Sequence, residues 1–398
     1  MGAVTPLGSD VRAFLEGLLA GRSAVRFMEG WDRYRGLRSL VGAPAELREA
    51  TAIPRKDRRS MGRMSLFAAQ AAKQAVLDAG LSENELGSGR TGCVIGSTMG
   101  SACSINETFE TMLPERDLSN LTAMQFFKCV SHSAAMNVAQ YLNIAGVVMA
   151  PSAACASGLQ AIGTGYDLIR LGRQEIVVCG GAEELHPTVT GSFDILFATS
   201  ARYNDVPERT PRPFDRDRDG LVCGEGSGIV VLEEYERARR RNARMRVEVV
   251  GYHTCASGSH VSQSNHASMI ACMREALGQA GVAPGEIDYI NAHATGTEHG
   301  DAEETIAIRE VFGGAVPVSS MKGALGHTLG ASGCIEIIGS VGMMEKGVLF
   351  PTRNLENVAP NCAGILHVRE PLERQIRLFL KNSFAFGGIN AALVCRAV

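Results

Sequence analysis

The chain has 398 residues, more than one hydrophobic core usually organises, so two domains or two fused halves are predicted. A net charge of -3, from 39 basic and 42 acidic residues, gives none of the basic character of a nucleic-acid binder. The 11 cysteines contain no CxxC pair, which argues against a disulfide framework and a zinc site, and no apolar run is long enough to span a membrane. A start without the basic and apolar regions of a signal peptide predicts a cytoplasmic protein.

In chain order, a turn at residues 5–10 leads into a helix whose Val11, Phe14, Leu15, Leu18 and Leu19 share one face. Residues 27–54 read as irregular. A helix over 60–79 stops at Gly80, a strand follows over 91–97, and residues 101–130 form a polar and aromatic excursion. A helix over 133–142 precedes a short buried strand at 146–150, and further strands are predicted over 175–181 and 228–233. Alternating strands and helices predict a mostly parallel sheet. The arginine-rich segment 236–246 reads as a solvated helix face.

Between the strand at 146–150 and a helix carrying Leu159, Ile162, Tyr166 and Ile169 lies Pro151-Ser152-Ala153-Ala154-Cys155-Ala156-Ser157-Gly158. Cys155 therefore falls on a strand-to-helix turn. Unpaired N–H groups at a helix start favour a thiolate, and small neighbours let a substrate approach. A free cysteine is more often a buried apolar residue, so the chemistry has to be supported from elsewhere in the chain.

An internal similarity sets the architecture. Residues 74–86 and the strand after them are matched by residues 275–287 and the strand Asp288-Tyr-Ile-Asn291, each reading helix, Ala-Gly stop, acidic loop, strand. Gly330-Ala-Ser-Gly-Cys-Ile-Glu-Ile-Ile-Gly339 is a second small-residue helix start, the counterpart of the cysteine turn. Two similar α/β halves packed back to back follow.

Three patches in the later half carry functional side chains. His293 projects from the end of a buried strand in Ala292-His293-Ala294-Thr295-Gly296-Thr297, where open α/β sheets bind ligands. Lys322 and His327 lie in a glycine-rich run that does not match the phosphate-cradling GxxxxGK[ST] pattern. Asn382-Ser-Phe384-Ala-Phe386-Gly-Gly388-Ile-Asn390 sets two aromatics beside a flexible glycine pair.

Together, the cysteine turn, Asn-Ala-His-x-Thr-x-Thr, Lys-x4-His-x2-Gly-Ala-x-Gly and Asn-Ser-Phe-x-Phe-Gly-Gly resemble the elongating β-ketoacyl-ACP synthases of the thiolase superfamily, over nearly the whole chain. The resemblance implies an α/β thiolase-like fold of two similar mixed-sheet halves in a five-layered αβαβα core, residues 1–240 carrying the nucleophile and 241–398 the histidines. It implies that Cys155 takes an acyl chain from acyl carrier protein, with the N–H groups of Cys155 and Phe386 as oxyanion donors. His293 and His327 would stabilise the carbanion left when a malonyl thioester loses carbon dioxide. Lys322 and Glu336 would hold the histidines, Thr295 and Thr297 would bind the phosphopantetheine arm, and Phe384 and Phe386 would line the substrate passage, Phe386 as its gate.

A pair of histidines separates the chain from initiating, CoA-primed synthases, which pair histidine with asparagine. The lack of a second cysteine at 383–390 separates it from thiolases, and Cys155 from non-condensing chain-length factors. The implied enzyme needs no metal or organic cofactor and acts as a homodimer, or as a ketosynthase subunit beside a chain-length-factor partner. Basic residues Arg58, Arg59, Arg63 and Lys128 are candidates for docking the acidic carrier.

Ala294, Ala385 and Ile389 stand where the family usually has Gly, Gly and Thr, and Ala385 is expected to restrict the gate. Relatives have a hydrophobic strand before the first turn, so the native start is expected upstream of Met1. Asp215-Arg-Asp217-Arg-Asp219-Gly220 imitates a calcium loop, but its twelfth position is Gly226, which predicts a salt-bridged loop instead.

Overall fold

The computed structural model describes residues 1–48, 52–263 and 265–398. Its apolar runs pair into two large sheets, one from each half of the chain. Numbering their strands in chain order, the first contains β1 (Gly2–Val4), β2 (Thr91–Gly96), β3 (Val148–Met149), β4 (Ile176–Glu183) and β5 (Gly226–Glu233), arranged β1-β5-β4-β2-β3. The second contains β6 (Val247–Ala256), β7 (Tyr289–Asn291), β8 (Pro317–Ser319), β9 (Leu366–His367), β10 (Leu378–Phe384) and β11 (Ile389–Ala397), arranged β9-β8-β7-β10-β11-β6.

Both sheets are mixed, where alternation alone suggested mostly parallel pairing. In the first, β5 lies antiparallel to both β4 and β1; in the second, β11 lies antiparallel to both β10 and β6. The remaining pairs are parallel. A connection as short as residues 385–388, between β10 and β11, can return the chain only antiparallel.

Helices Arg63–Ala79 and Ser133–Tyr141 cover the outer face of the first sheet, and His266–Ala280 and Glu298–Phe312 that of the second. Ser157–Arg170 and Ser332–Lys346 lie between the sheets, giving five layers whose central core includes Leu159, Ile162, Ile335 and Ile338. The predicted repeat is visible in the backbone. Helices Arg63–Ala79 and His266–Ala280 each stop at a left-handed glycine, Gly80 and Gly281, both at φ 62°. Ala154 and Leu329, each three residues ahead of a central helix, adopt φ 47° and 48°, a strained conformation for a residue with a Cβ.

Two expectations need correction. The strand at 146–150 is not buried: β3 is a two-residue edge strand with Val148 and Met149 46% and 45% exposed. The arginines of 236–246 are only partly a solvated face, because Arg237, Arg241 and Arg246 pair with Glu85, Glu233, Asp78 and Glu345. Residues 101–130 fold into helices Ala102–Met112 and Ala123–Cys129, with Phe109, Leu113, Leu118 and Phe126 exposed.

The halves meet through backbone. A Cβ on Gly158 would lie 2.4 Å from the Gly330 carbonyl oxygen, and one on Gly181 2.2 Å from the same atom. Gly158→Ala or Gly181→Ala should therefore destabilise the protein by about 1–3 kcal/mol in chemical denaturation, the usual cost of overpacking. Gly191→Ala, where a Cβ meets nothing within 4 Å, is the control and should be neutral.

Candidate active site

The first half brings Cys155 to the seam on the turn before helix Ser157–Arg170. The turn is held by Ser157, whose Oγ accepts from the Ala153 N–H at 2.8 Å and donates to the Ala154 carbonyl at 2.6 Å. His293 follows β7, and its N–H and that of Ala294 donate to the Glu304 carboxylate at 2.8 and 2.7 Å. His327 belongs to the second half but is clamped by the first: its N–H donates to the Val222 carbonyl at 2.7 Å, and its carbonyl accepts from Gly224 at 2.8 Å. Ser320 links the two histidine segments, donating to the Ala294 carbonyl at 2.7 Å and accepting from the Lys322 N–H at 3.3 Å.

These elements converge. Ligand atoms of Cys155, His293 and His327 all lie within 4.8 Å of one another, and the two imidazole centroids are 5.2 Å apart, nearly perpendicular. All three residues are buried. Among the described residues, His293 Nδ1 and both ring nitrogens of His327 have no hydrogen-bond partner, a costly state that a ligand would relieve. The Cys155 and Phe386 N–H groups donate to no backbone carbonyl among the described residues, which leaves both available.

A cavity of about 280 Å³ connects this cluster to the outside. Thr295, Thr297, Phe384 and Phe386 line it, as the sequence suggested, with Thr295 and Thr297 hydroxyls 3.1 Å apart. Phe386 packs on Phe193 at 5.7 Å and Phe384 faces His293 at 6.5 Å between ring centroids. The Phe386 turn is anchored through the Gly387 N–H to the Val261 carbonyl, and Ala385 stays out of the left-handed region, so its methyl is accommodated in this conformation.

Behind the cluster, Lys322 Nζ lies 2.5 Å from Glu336 Oε1, both buried. Sequence reasoning missed three further members. Lys381 reaches the other Glu336 oxygen at 2.7 Å, Glu304 holds the His293 backbone, and Asp301 accepts from the Thr295 and Gly296 N–H groups at 3.0 and 3.2 Å. The signal for Lys381 was present: a lysine inside the apolar strand Leu-Phe-Leu-Lys-Asn-Ser-Phe of β10 is out of place without a partner.

Burial decides the protonation states. It pushes the Cys155 thiol up to about 12, against the opposing pull of Lys322. Loss of solvation thus works against the thiolate that the turn's N–H groups favour. Burial, then the Lys322 charge, holds both histidines well below their usual pKa, so both are neutral.

The carrier-docking candidates lie outside the cavity. Arg59 is exposed, and Arg58 and Lys128 are half-buried. Arg63 is committed to Glu225 at 2.5 Å and to the Ala45 carbonyl at 2.9 Å, which removes it as a free docking charge. In the calcium-like loop, Asp215 is occupied by Arg212 and by the N–H groups of Asp217, Glu356 and Asn357, and Asp219 by those of Ala201 and Arg202.

A buried thiol beside two neutral imidazoles in the lining of one cavity, with unengaged N–H groups at hand, defines a cysteine acyltransferase chamber. Family models for the beta-ketoacyl synthase N-terminal and C-terminal domains match residues 1–238 and 246–356. The 3-oxoacyl-[acyl-carrier-protein] synthase 1 of Escherichia coli K12 is 36% identical over 398 residues, covering 100% of this chain and 97% of its own. The crystal structure of a beta-ketoacyl synthase from Burkholderia phymatum STM815 matches with a TM-score of 0.96 and 41% identity, over 100% of this chain and 98% of that one. The ishigamide ketosynthase/chain length factor matches at 0.92 and 31%, over 100% and 97%. The chain belongs to the beta-ketoacyl synthase family, with its thiolase-like fold, and is a condensing acyltransferase.

The neutral histidines have a measurable consequence. Their folded-state pKa lies below the unfolded value of 6.5, so the unfolded chain binds more protons and stability falls as pH drops through 6.5. Each contributes a slope of up to about 1.4 kcal/mol per pH unit. Glu183, raised to about 7, and Asp301, raised to about 6, act in the opposite sense. Denaturation of the native protein and a His293→Asn/His327→Asn variant, compared from pH 8 to 5, isolates the histidines: the variant should lose less stability on acidification.

Proposed function

We propose that the protein is a β-ketoacyl-ACP synthase that condenses malonyl-ACP with an acyl chain held on Cys155, in fatty-acid elongation or a related type II pathway. The observation that carries this reading is the thiol and two imidazoles within 4.8 Å of one another in the lining of one cavity, with His293 Nδ1 and both His327 ring nitrogens unpaired among the described residues. In the first half-reaction, Cys155 Sγ attacks the acyl thioester carbon while a neutral imidazole takes the thiol proton, and the carrier thiol leaves with a proton. The oxyanion is held by the N–H groups of Cys155 and Phe386.

In the second half-reaction, the malonyl C–C bond breaks and carbon dioxide departs. The electron pair passes to an enolate whose oxygen accepts N–H hydrogen bonds from His293 and His327. The carbanion attacks the acyl carbon and the C–S bond breaks, giving a β-ketoacyl thioester on the carrier and a Cys155 thiolate that takes a proton from solvent to regenerate the thiol. Loss of carbon dioxide drives the step, so the reaction as proposed uses no metal or organic cofactor. Lys322 and Glu336 hold the histidine segments, Thr295 and Thr297 bind the phosphopantetheine arm, and Phe384 and Phe386 shape the passage.

Purified protein should release carbon dioxide and form a ketoacyl thioester from acyl- and malonyl-ACP. Cys155→Ala should lower condensation at least about a thousandfold. His293→Ala and His327→Ala should still acquire the acyl mass on Cys155 while losing about 10²–10³ in decarboxylation. Full condensation by Cys155→Ala would overturn the reading. In the same assay Arg59→Glu with Lys128→Glu should raise KM for carrier-bound substrate at low salt.

We further propose a cytoplasmic homodimer, with residues 1–240 supplying the nucleophile and 241–398 the histidines of each subunit. The open sheet edge at β3, where the apolar Val148 and Met149 are exposed, supports pairing with a second copy, and the ishigamide neighbour supports a chain-length-factor partner as the alternative. Sedimentation of the purified chain should give a dimer; a stable monomer would favour the heterodimer.

A further inference from the structure

Lys381 has no part in the roles assigned above, yet its position is costly. It lies in β10, between β7 and β11, and is fully buried. A lysine is retained there only if charges compensate the loss of hydration. Its Nζ is 2.7 Å from Glu336 Oε2 and also donates to the Asn382 carbonyl, while Glu336 Oε1 is 2.5 Å from Lys322. One carboxylate thus faces two ammonium groups.

The second counter-charge is Glu304. Burial raises the Glu304 pKa and lowers that of Lys381; against that loss of solvation each favours the other's charged form, and Glu304 is further held as a carboxylate by the His293 and Ala294 N–H groups and by Asn382, adjacent to Lys381, at 3.1 Å. Glu304 anchors the His293 and Ala294 N–H groups, whereas Glu336 pairs with Lys322, five residues before His327. Lys381 therefore pairs directly with the carboxylate that also holds Lys322, while its strand neighbour Asn382 bonds the carboxylate that anchors His293. Other titratable groups facing this cluster are Asp301, which burial raises to about 6 and whose charge Arg218 offsets, Tyr289, Cys155, Cys334 and Cys362, which burial keeps protonated, and the two neutral imidazoles.

We propose that Lys381 is a positioning residue of the condensing site: as the second buried cation, it balances Glu304 and Glu336 so that no net negative charge lies behind His293 and His327. The inference rests on the condensing-enzyme reading for its catalytic consequence alone. Two cations and two carboxylates cancel; without Lys381 the cluster carries one excess negative charge beside two imidazoles and draws protons onto them. Consistent with this, Lys381 is among the charges that hold both histidines down. Burial lowers its own pKa to about 8, which leaves it charged at pH 7.

The test is a titration of ¹⁵N-histidine-labelled protein by NMR, paired with the pH dependence of malonyl-ACP decarboxylation. In the native protein both imidazoles should stay neutral well below pH 6.5. In Lys381→Met the midpoint of one or both, and the acid limb of decarboxylation, should move up by about one pH unit or more. Lys381→Arg should keep the native profile, and Lys381→Met/Glu304→Gln, with charge balance restored, should move back toward it. A native histidine already protonated at pH 6.5, or a folded Lys381→Met with the native midpoints and acid limb, would overturn the proposal. If Lys381→Met does not fold, the native titration and the charge-balanced double variant decide the question. Absence of carbon dioxide release by the native enzyme at any pH would instead overturn the condensing-enzyme reading, while the histidine titration would still test Lys381.

Discussion

The chamber depends on two backbones meeting where no side chain separates them. Helix Ser157–Arg170 and β4 present Gly158 and Gly181 to the Gly330 carbonyl, and the Gly330 N–H donates to Glu183 at 3.1 Å. His327 is clamped by Val222 and Gly224 of the other half through its own peptide groups. Cys155 and His327 are therefore registered by main-chain contacts, which have fewer degrees of freedom than side-chain packing and hold reacting groups more closely.

Charge is kept one layer away from the reacting atoms. Burial favours the neutral thiol and imidazoles, while Lys322, Lys381 and Glu336 carry the ionic contacts behind them and Glu304 takes N–H hydrogen bonds from the His293 segment. In such a site an incoming thioester meets preorganised donors and acceptors rather than ions that must first be stripped of solvent. The unpartnered ring nitrogens of His327 have the same meaning: their hydrogen bonds are held open for a ligand.

Much of this was legible in the sequence, and for physical reasons. The repeat was readable because helix stops need left-handed residues, and Gly80 and Gly281 supply them at matching points. Cys155, His293 and His327 were readable because short turns after strands and before helices carry distinctive small residues. Strand direction was less legible, since alternation of elements does not say which strands return antiparallel. The exposure of β3 was hidden as well, because two apolar residues look alike in a core and at a sheet edge. Arg63 looked available for docking because a local run of arginines cannot reveal that Glu225, far along the chain, occupies one of them.

The repeated turn has a further consequence. Ala154 and Leu329 bend the chain in the same way in each half, and the residue after each is Cys155 in one and Gly330 in the other. A Cβ at Gly330 would meet Glu183 Oε2 and the Thr98 N at 2.8 Å and Ser97 Cα at 2.9 Å, so that position has no room for any thiol. The internal pseudo-symmetry of the two halves thus stops at one side chain: the turn that presents Cys155 in one half has no room for a side chain in the other.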